Sequence, residues 1–117
     1  NIQDIQLTRD GYETKMLLGE FHAQPFGFVN GGAILAFAEI TAGQASNLLG
    51  DGEYYAVGQS INGNHLKKKQ AEGYLYAAGE LLHKGRRSHV WNIRILDENG
   101  LLISQVTVVN ALVMKKE

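Results

Sequence analysis

The chain has no cysteine. That one absence removes disulfides, thiolate nucleophiles and cysteine-ligated metals together, and it fits a reducing cytoplasm. Proline is nearly missing too: Pro25 is the only one. No uninterrupted apolar run is long enough to span a bilayer, so no membrane partner is expected. Charge of one sign is also lacking. Eleven basic and twelve acidic residues leave a formal net charge of −1. No bulk field therefore argues for nucleic acid or an anionic surface. The four histidines, His22, His65, His83 and His89, show no metal-ligand spacing, and no metal is expected. His83 and His89 read as structural residues in or beside strands. There is no Gly-x-Ser-x-Gly elbow and no Gly-Lys-Ser/Thr phosphate loop. The opening residues, Asn1-Ile2-Gln3-Asp4, do not resemble a signal peptide. The missing initiator methionine suggests a trimmed N-terminus.

What is present fits one domain, residues 1–117, with room for one hydrophobic core. Residues from about Tyr12 to Phe21 contain a short strand. A charge-free loop follows, Gln24-Pro25-Phe26-Gly27-Phe28-Val29-Asn30-Gly31-Gly32. A helix is expected from about Gly31 to Leu49, with Asn30 as N-cap and Gly50 ending it in a left-handed conformation. The period then changes. Tyr54–Ile61, Gly73–Leu82, Val90–Leu96 and Leu101–Met114 read as strands. Residues 63–73 read as a polar connection, and Asp97-Glu98-Asn99-Gly100 as a hairpin turn. The expected class is α+β, one long helix covered by an antiparallel sheet of about five strands.

Glu39 is the only charged residue between Ala23 and Gly50, and it sits within the apolar run Ala33–Ala42, which reads as a helix buried on most sides. No basic residue lies one turn away. A buried, unpaired carboxylate is costly, and such groups cluster at working sites. The alternative is a surface glutamate reaching water past small alanines. Gly31-Gly32 leaves backbone N–H groups free at the positive end of the helix, where a carbonyl could be polarised. The alternative is a tight loop-to-helix junction. The basic segments His83-Lys84-Gly85-Arg86-Arg87-Ser88 and Lys67-Lys68-Lys69 suit phosphate groups, or form a solvated rim.

Several segments in order carry a resemblance. These are Gln24-Pro25-Phe26-Gly27, Val29-Asn30-Gly31-Gly32-Ala33, Leu35-Ala36-Phe37-Ala38-Glu39, Val57–Leu66, Glu72-Gly73, His83–Trp91 and Asp97–Leu102. Together, from about Tyr12 to Met114, they resemble hotdog-fold acyl-CoA thioesterases. The similar branch contains hydroxybenzoyl-CoA, dihydroxynaphthoyl-CoA and phenylacetate-pathway-like enzymes. The resemblance implies hydrolysis of a small aromatic or medium-chain acyl-CoA. It implies Glu39 as nucleophile or general base, Gly31 as the N–H that polarises the thioester carbonyl, and Gln24 as the side chain orienting thioester or water. Asn30, a fourth catalytic candidate, stands where the branch usually has His and can donate a hydrogen bond but not titrate, and Gly43 stands where relatives often carry Ser or Thr. These departures keep a second expectation open, a non-catalytic acyl-CoA-binding or sensing protein. Coenzyme A contacts are implied at Gly58, at His65, Leu66, Lys67 and Lys68, and at His83, Lys84, Gly85, Arg86, Arg87 and Ser88. Coenzyme A is part of the substrate, and no separate cofactor is expected. Phe26, Phe28, Phe37, Tyr54 and Tyr55 are the expected acyl-pocket walls.

A homodimer, and usually a tetramer, is implied as well. Geometry supports the dimer. Eight positions on one helix are about 12 Å of rise, whereas catalytic contacts need about 3 Å. Gly31 and Glu39 of one chain cannot serve the same carbonyl. The two groups acting on one substrate must come from two helices.

Overall fold

The computed structural model describes residues 1–115. Six strands, β1 (Gln6–Leu7), β2 (Gly11–Leu17), β3 (Tyr54–His65), β4 (Tyr74–Lys84), β5 (Ser88–Leu96) and β6 (Leu102–Met114), form one sheet in the order β1-β2-β4-β5-β6-β3. Every pairing is antiparallel. One helix, α1 (Gly31–Gly50), packs on one face of the sheet. The sheet has one more strand than expected, because the two-residue β1 lies beside β2. β3 also runs on to His65, through glycines and asparagines that read as a connection.

Local chemistry sets the ends of α1. Asn30 is extended (φ −67°, ψ 133°), and its Oδ1 accepts the Gly32 N–H at 2.7 Å. That is the expected N-cap. The C-terminal expectation needs correction. Gly50 is still helical and buried, and Asp51 takes the left-handed conformation (φ 47°, ψ 43°). Gly50 is small for another reason: a Cβ there would lie 2.6 Å from the Tyr54 ring. The turn between β5 and β6 forms as expected. Asp97 Oδ1 accepts the N–H groups of Asn99 and Leu101, and Gly100 adopts φ 80°.

The core lies between α1 and the sheet: Phe37 and Ile34 from the helix meet Trp91, Ile93, Ile95, Val106, Val108, Leu75 and Tyr12. A polar knot sits inside it. Ser46 Oγ receives the Trp91 indole N–H at 2.9 Å and the Asn110 amide N–H at 3.2 Å. Those donors fill both hydroxyl lone pairs, so the Ser46 proton goes to His89 Nδ1, 2.7 Å away. His89 is therefore neutral, with its proton on Nε2, 3.5 Å from the Tyr54 hydroxyl. Burial, then the nearby Lys84 and His83 charges, hold its pKa below the ordinary histidine value. The structural role expected for His89 is the one it has.

Candidate active site

α1 is buried on one side only. Ile34, Phe37, Ala38, Thr41, Ala42, Ala45 and Ser46 face the sheet, while Gly32, Ala36, Ile40, Gln44 and Leu48 face outward. This corrects the picture of a helix buried on most sides. Glu39 stands at the boundary between the faces, partly covered, and among the described residues it has no ion-pair partner. Its carboxylate lies over Gly58 of β3, where a Cβ would overlap Oε2 and come within 3.3 Å of Cδ.

The start of α1 offers an open donor. Asn30 Oδ1 takes the Gly32 N–H, and no acceptor among the described residues takes that of Gly31. The His65 ring covers Gly31 from β3, with Nε2 2.9 Å from the place of a Cβ. His65 Nδ1 in turn pairs with the buried Ser104 hydroxyl at 2.8 Å. Ser104 went unnoticed in the sequence; its inward position on β6 was the available signal. Gln24 is held in the loop before the helix. Its Oε1 accepts the Phe26 N–H, which leaves the amide nitrogen as its free end. The loop is fixed by backbone bonds from Val29 N–H to the Lys69 carbonyl and from Ala71 N–H to the Gly27 carbonyl.

The expected coenzyme segments do not meet within one chain. His65 pairs with Ser104, which pairs with Ile95, at the Gly31 end of the sheet. Lys84 pairs with His89, which pairs with Asn110, level with Gly58 and Glu39. Six strand residues separate these rows on β5, about 20 Å. Near the first row, Leu66 and Lys67 donate backbone N–H groups to the Ile103 carbonyl, and the Lys68 ammonium lies 5.2 Å from the Phe28 ring centroid. Lys69 is engaged elsewhere, bridging to Glu98 at 3.1 Å. In the second segment, Lys84, Arg86 and Arg87 are exposed, Gly85 N–H bonds to the Ser88 carbonyl, and the His83 ring folds over Gly85. Two expected pocket walls are core residues instead. Phe37 is buried under the sheet, and the Tyr54 ring packs on Gly50 and His89. Phe26 and Tyr55 remain exposed. A groove of about 650 Å³ between the N-terminal segment and β2, lined by Ile2, Asp4, Glu13 and Lys15 among others, contains neither Glu39 nor Gly31.

Comparison with known proteins gives a consistent result. A sequence profile described as the thioesterase superfamily matches residues 26–104. The 1,4-dihydroxy-2-naphthoyl-CoA hydrolase of Escherichia coli is 39% identical over 93 residues, covering 80% of this chain and 68% of that one. Another curated relative is longer still, and the matched stretch spans only 53% of it. A Lactococcus lactis crystal structure, provisionally assigned as a thioesterase, is 59% identical with a TM-score of 0.96, covering 99% of this chain and 94% of that one. A Staphylococcus aureus thioesterase is 28% identical, with a TM-score of 0.85 and coverage of 96% of this chain and 93% of that one in its glutamine-to-alanine form. Its structure is also known with a glutamate replaced by alanine, and the two replaced residues have the same separation as Gln24 and Glu39.

Proposed function

The chain belongs to the thioesterase superfamily, and from that premise we propose that it hydrolyses the thioester of an acyl-CoA at a site shared by two copies of itself. The observation that carries this reading is the layout of α1: an open N–H at Gly31 and an unpaired carboxylate at Glu39, eight positions apart. In an antiparallel pair of helices, Gly31 and Gln24 of one copy stand opposite Glu39 of the other. The Gly31 N–H, at the positive helix end, polarises the thioester oxygen. The free amide of Gln24 donates to the thioester or to the attacking water. Glu39 either attacks the carbonyl carbon, giving an anhydride that water opens, or takes a proton from the water that attacks. Either route breaks the C–S bond and yields the free acid and the coenzyme thiol. Asn30 holds the helix start, and its amide nitrogen remains able to donate.

The same pairing supports a role for both basic segments. The row at His65 and the row at Arg86 and Arg87 are far apart in one chain but approach across an antiparallel pair. His65–Lys68 and His83–Ser88 are thus assigned to the coenzyme, with the two guanidinium groups on its phosphates, whereas Gly58 lies under the Glu39 carboxylate. The outward stripe of α1 and the free edge of β3, with Tyr55, Val57 and Ile61 exposed, are the surfaces such a pair would cover. Two pairs assembling into a homotetramer complete the proposal. The acyl group is small aromatic or medium-chain, bounded in part by Phe26, Phe28 and Tyr55.

The test is thiol release from a panel of aromatic and aliphatic acyl-CoAs. Wild type releases thiol from at least one. Glu39→Gln loses at least about 100-fold in kcat, in line with removal of an acid–base group, while keeping its melting temperature and its affinity for coenzyme A. Undiminished turnover in that variant sinks the assignment. Coenzyme binding with no release from any substrate would favour the sensing role instead.

A further inference from the structure

Three helix–strand contacts lie in register along α1 and β3. Gly31 meets His65, Leu35 meets Gly63, and Glu39 meets Gly58. The helix-facing side of β3 follows from its pairing with buried β6 residues: Leu112, Asn110, Val108 and Val106 stand opposite Ala56, Gly58, Ile61 and Gly63. Gly58 and Ile61 are three positions apart, and in an unbroken strand they would face opposite sides. The register shift between Gly58 and Ser60 inserts Gln59 as a bulge and brings both to the helix. The bulge therefore begins directly under the Glu39 carboxylate. Bulges beside working groups commonly re-aim a side chain.

We infer that Gly58 is a positioning residue for Glu39: its missing side chain is the seat in which the carboxylate rests, and the size of residue 58 sets where that carboxylate points. Backbone conformation does not require glycine there, since positive φ among glycines is confined to Gly27, Gly52, Gly73 and Gly100. The demand is steric, and the three atoms nearest a Cβ all belong to Glu39: Oε2, Cδ at 3.3 Å and Cγ at 3.5 Å. Along the same row of the sheet, Asn110 and His89 fill the space under the helix with large side chains. Position 58 is the gap in that row, and Glu39 occupies it. A carboxylate lodged there is fixed by packing instead of by an ion pair, and so stays available for chemistry.

This inference rests on the hydrolytic reading for its consequence, and the experiment separates the two. Thiol release is measured with benzoyl-CoA and hexanoyl-CoA for wild type, Gly58→Ala, Glu39→Asp, the double variant and Gly63→Ala. Displacing the carboxylate by about 1 Å lowers kcat of Gly58→Ala by about 100-fold, with KM little changed. Glu39→Asp withdraws the carboxylate by one methylene, so adding Gly58→Ala to it costs less than about 3-fold more, the mark of two coupled positions. Gly63→Ala, whose Cβ would lie nearest the flexible Leu35 and then β6 atoms, lowers the melting temperature but keeps kcat. A raised KM with kcat retained in Gly58→Ala overturns the seat in favour of a coenzyme contact. An equal loss of kcat in Gly63→Ala overturns it in favour of general strand strain. If wild type releases no thiol from these two or from any other member of the acyl-CoA panel, the hydrolytic reading fails, and the crystal structure of Gly58→Ala decides the seat by itself. A displaced Glu39 carboxylate supports it and an unmoved one overturns it.

Discussion

Ser46 shows how a single hydroxyl can hold a helix to a sheet. It serves Trp91, Asn110 and His89 at once, and each is buried. Ser46→Ala strands two donors and one acceptor, and unpaired buried groups cost about 1–3 kcal/mol each before relaxation. A loss of about 3 kcal/mol in urea unfolding is the expected outcome. His89 makes the same knot sensitive to acid. Protonation would turn Nδ1 into a donor facing a hydroxyl whose lone pairs are already filled. Because the folded pKa is lowered, the unfolded chain binds the proton first, and stability falls as pH drops below the unfolded value near about 6.5. Between pH 7.5 and 5.5, unfolding free energy should therefore decline more steeply in wild type than in His89→Gln. The excess is at most about 1.4 kcal/mol per pH unit.

The helix and its facing strand show which parts of the fold could be read in advance. Asn30 was legible as a cap because capping is local: side chain and recipient N–H are two residues apart. The Asp97–Gly100 turn was legible for the same reason. The far half of β3 was not. Gly63 and Asn64 look like turn residues until Leu35 is placed on Gly63, and only tertiary packing does that. Gly50 misled similarly, since its smallness serves the Tyr54 ring and not the backbone. Phe37 and Tyr54 looked like pocket walls because aromatic character does not reveal which helix or strand face a residue occupies. Position 30 separates capping from chemistry. Asn30→Ala should cost about 1 kcal/mol by loss of the cap. Asn30→Asp keeps the acceptor and the melting temperature, and a fall in kcat in that variant would show that the amide N–H reaches the substrate.

At the scale of the whole molecule, the family, the helix-on-sheet architecture and the positions of the main strands along the chain were within reach of the sequence, but the order of the strands in the sheet, with β3 beside β6, was not. The spacing of Gly31 and Glu39 along one helix was also legible. The strand pairing adds that the two basic segments lie at different rows of the sheet. A complementation experiment tests the shared site. Gly31→Pro removes the amide hydrogen at a helix position where proline is well tolerated, with the His65 ring, 2.9 Å from the place of a Cβ, having to give way, and it should be inactive, as should Glu39→Gln. Co-expressed, the two variants form mixed pairs in which one site keeps both intact groups. About a quarter of wild-type activity should return, as random pairing in a two-fold dimer requires. No recovery would place both groups of each site on one chain.

The bulge at Gln59 also gives β3 something like a reading frame. Beyond it, Ile61, Gly63 and His65 face the helix only because one residue was added. Removing Gln59, or inserting a second residue beside it, would turn that half of the strand over, taking His65 away from Gly31 and Ser104. Changes of two residues would restore the facing. Surviving length variants of this strand should therefore differ in steps of two, and a functional selection of random insertions and deletions between Gly58 and Ile61 would reveal that parity.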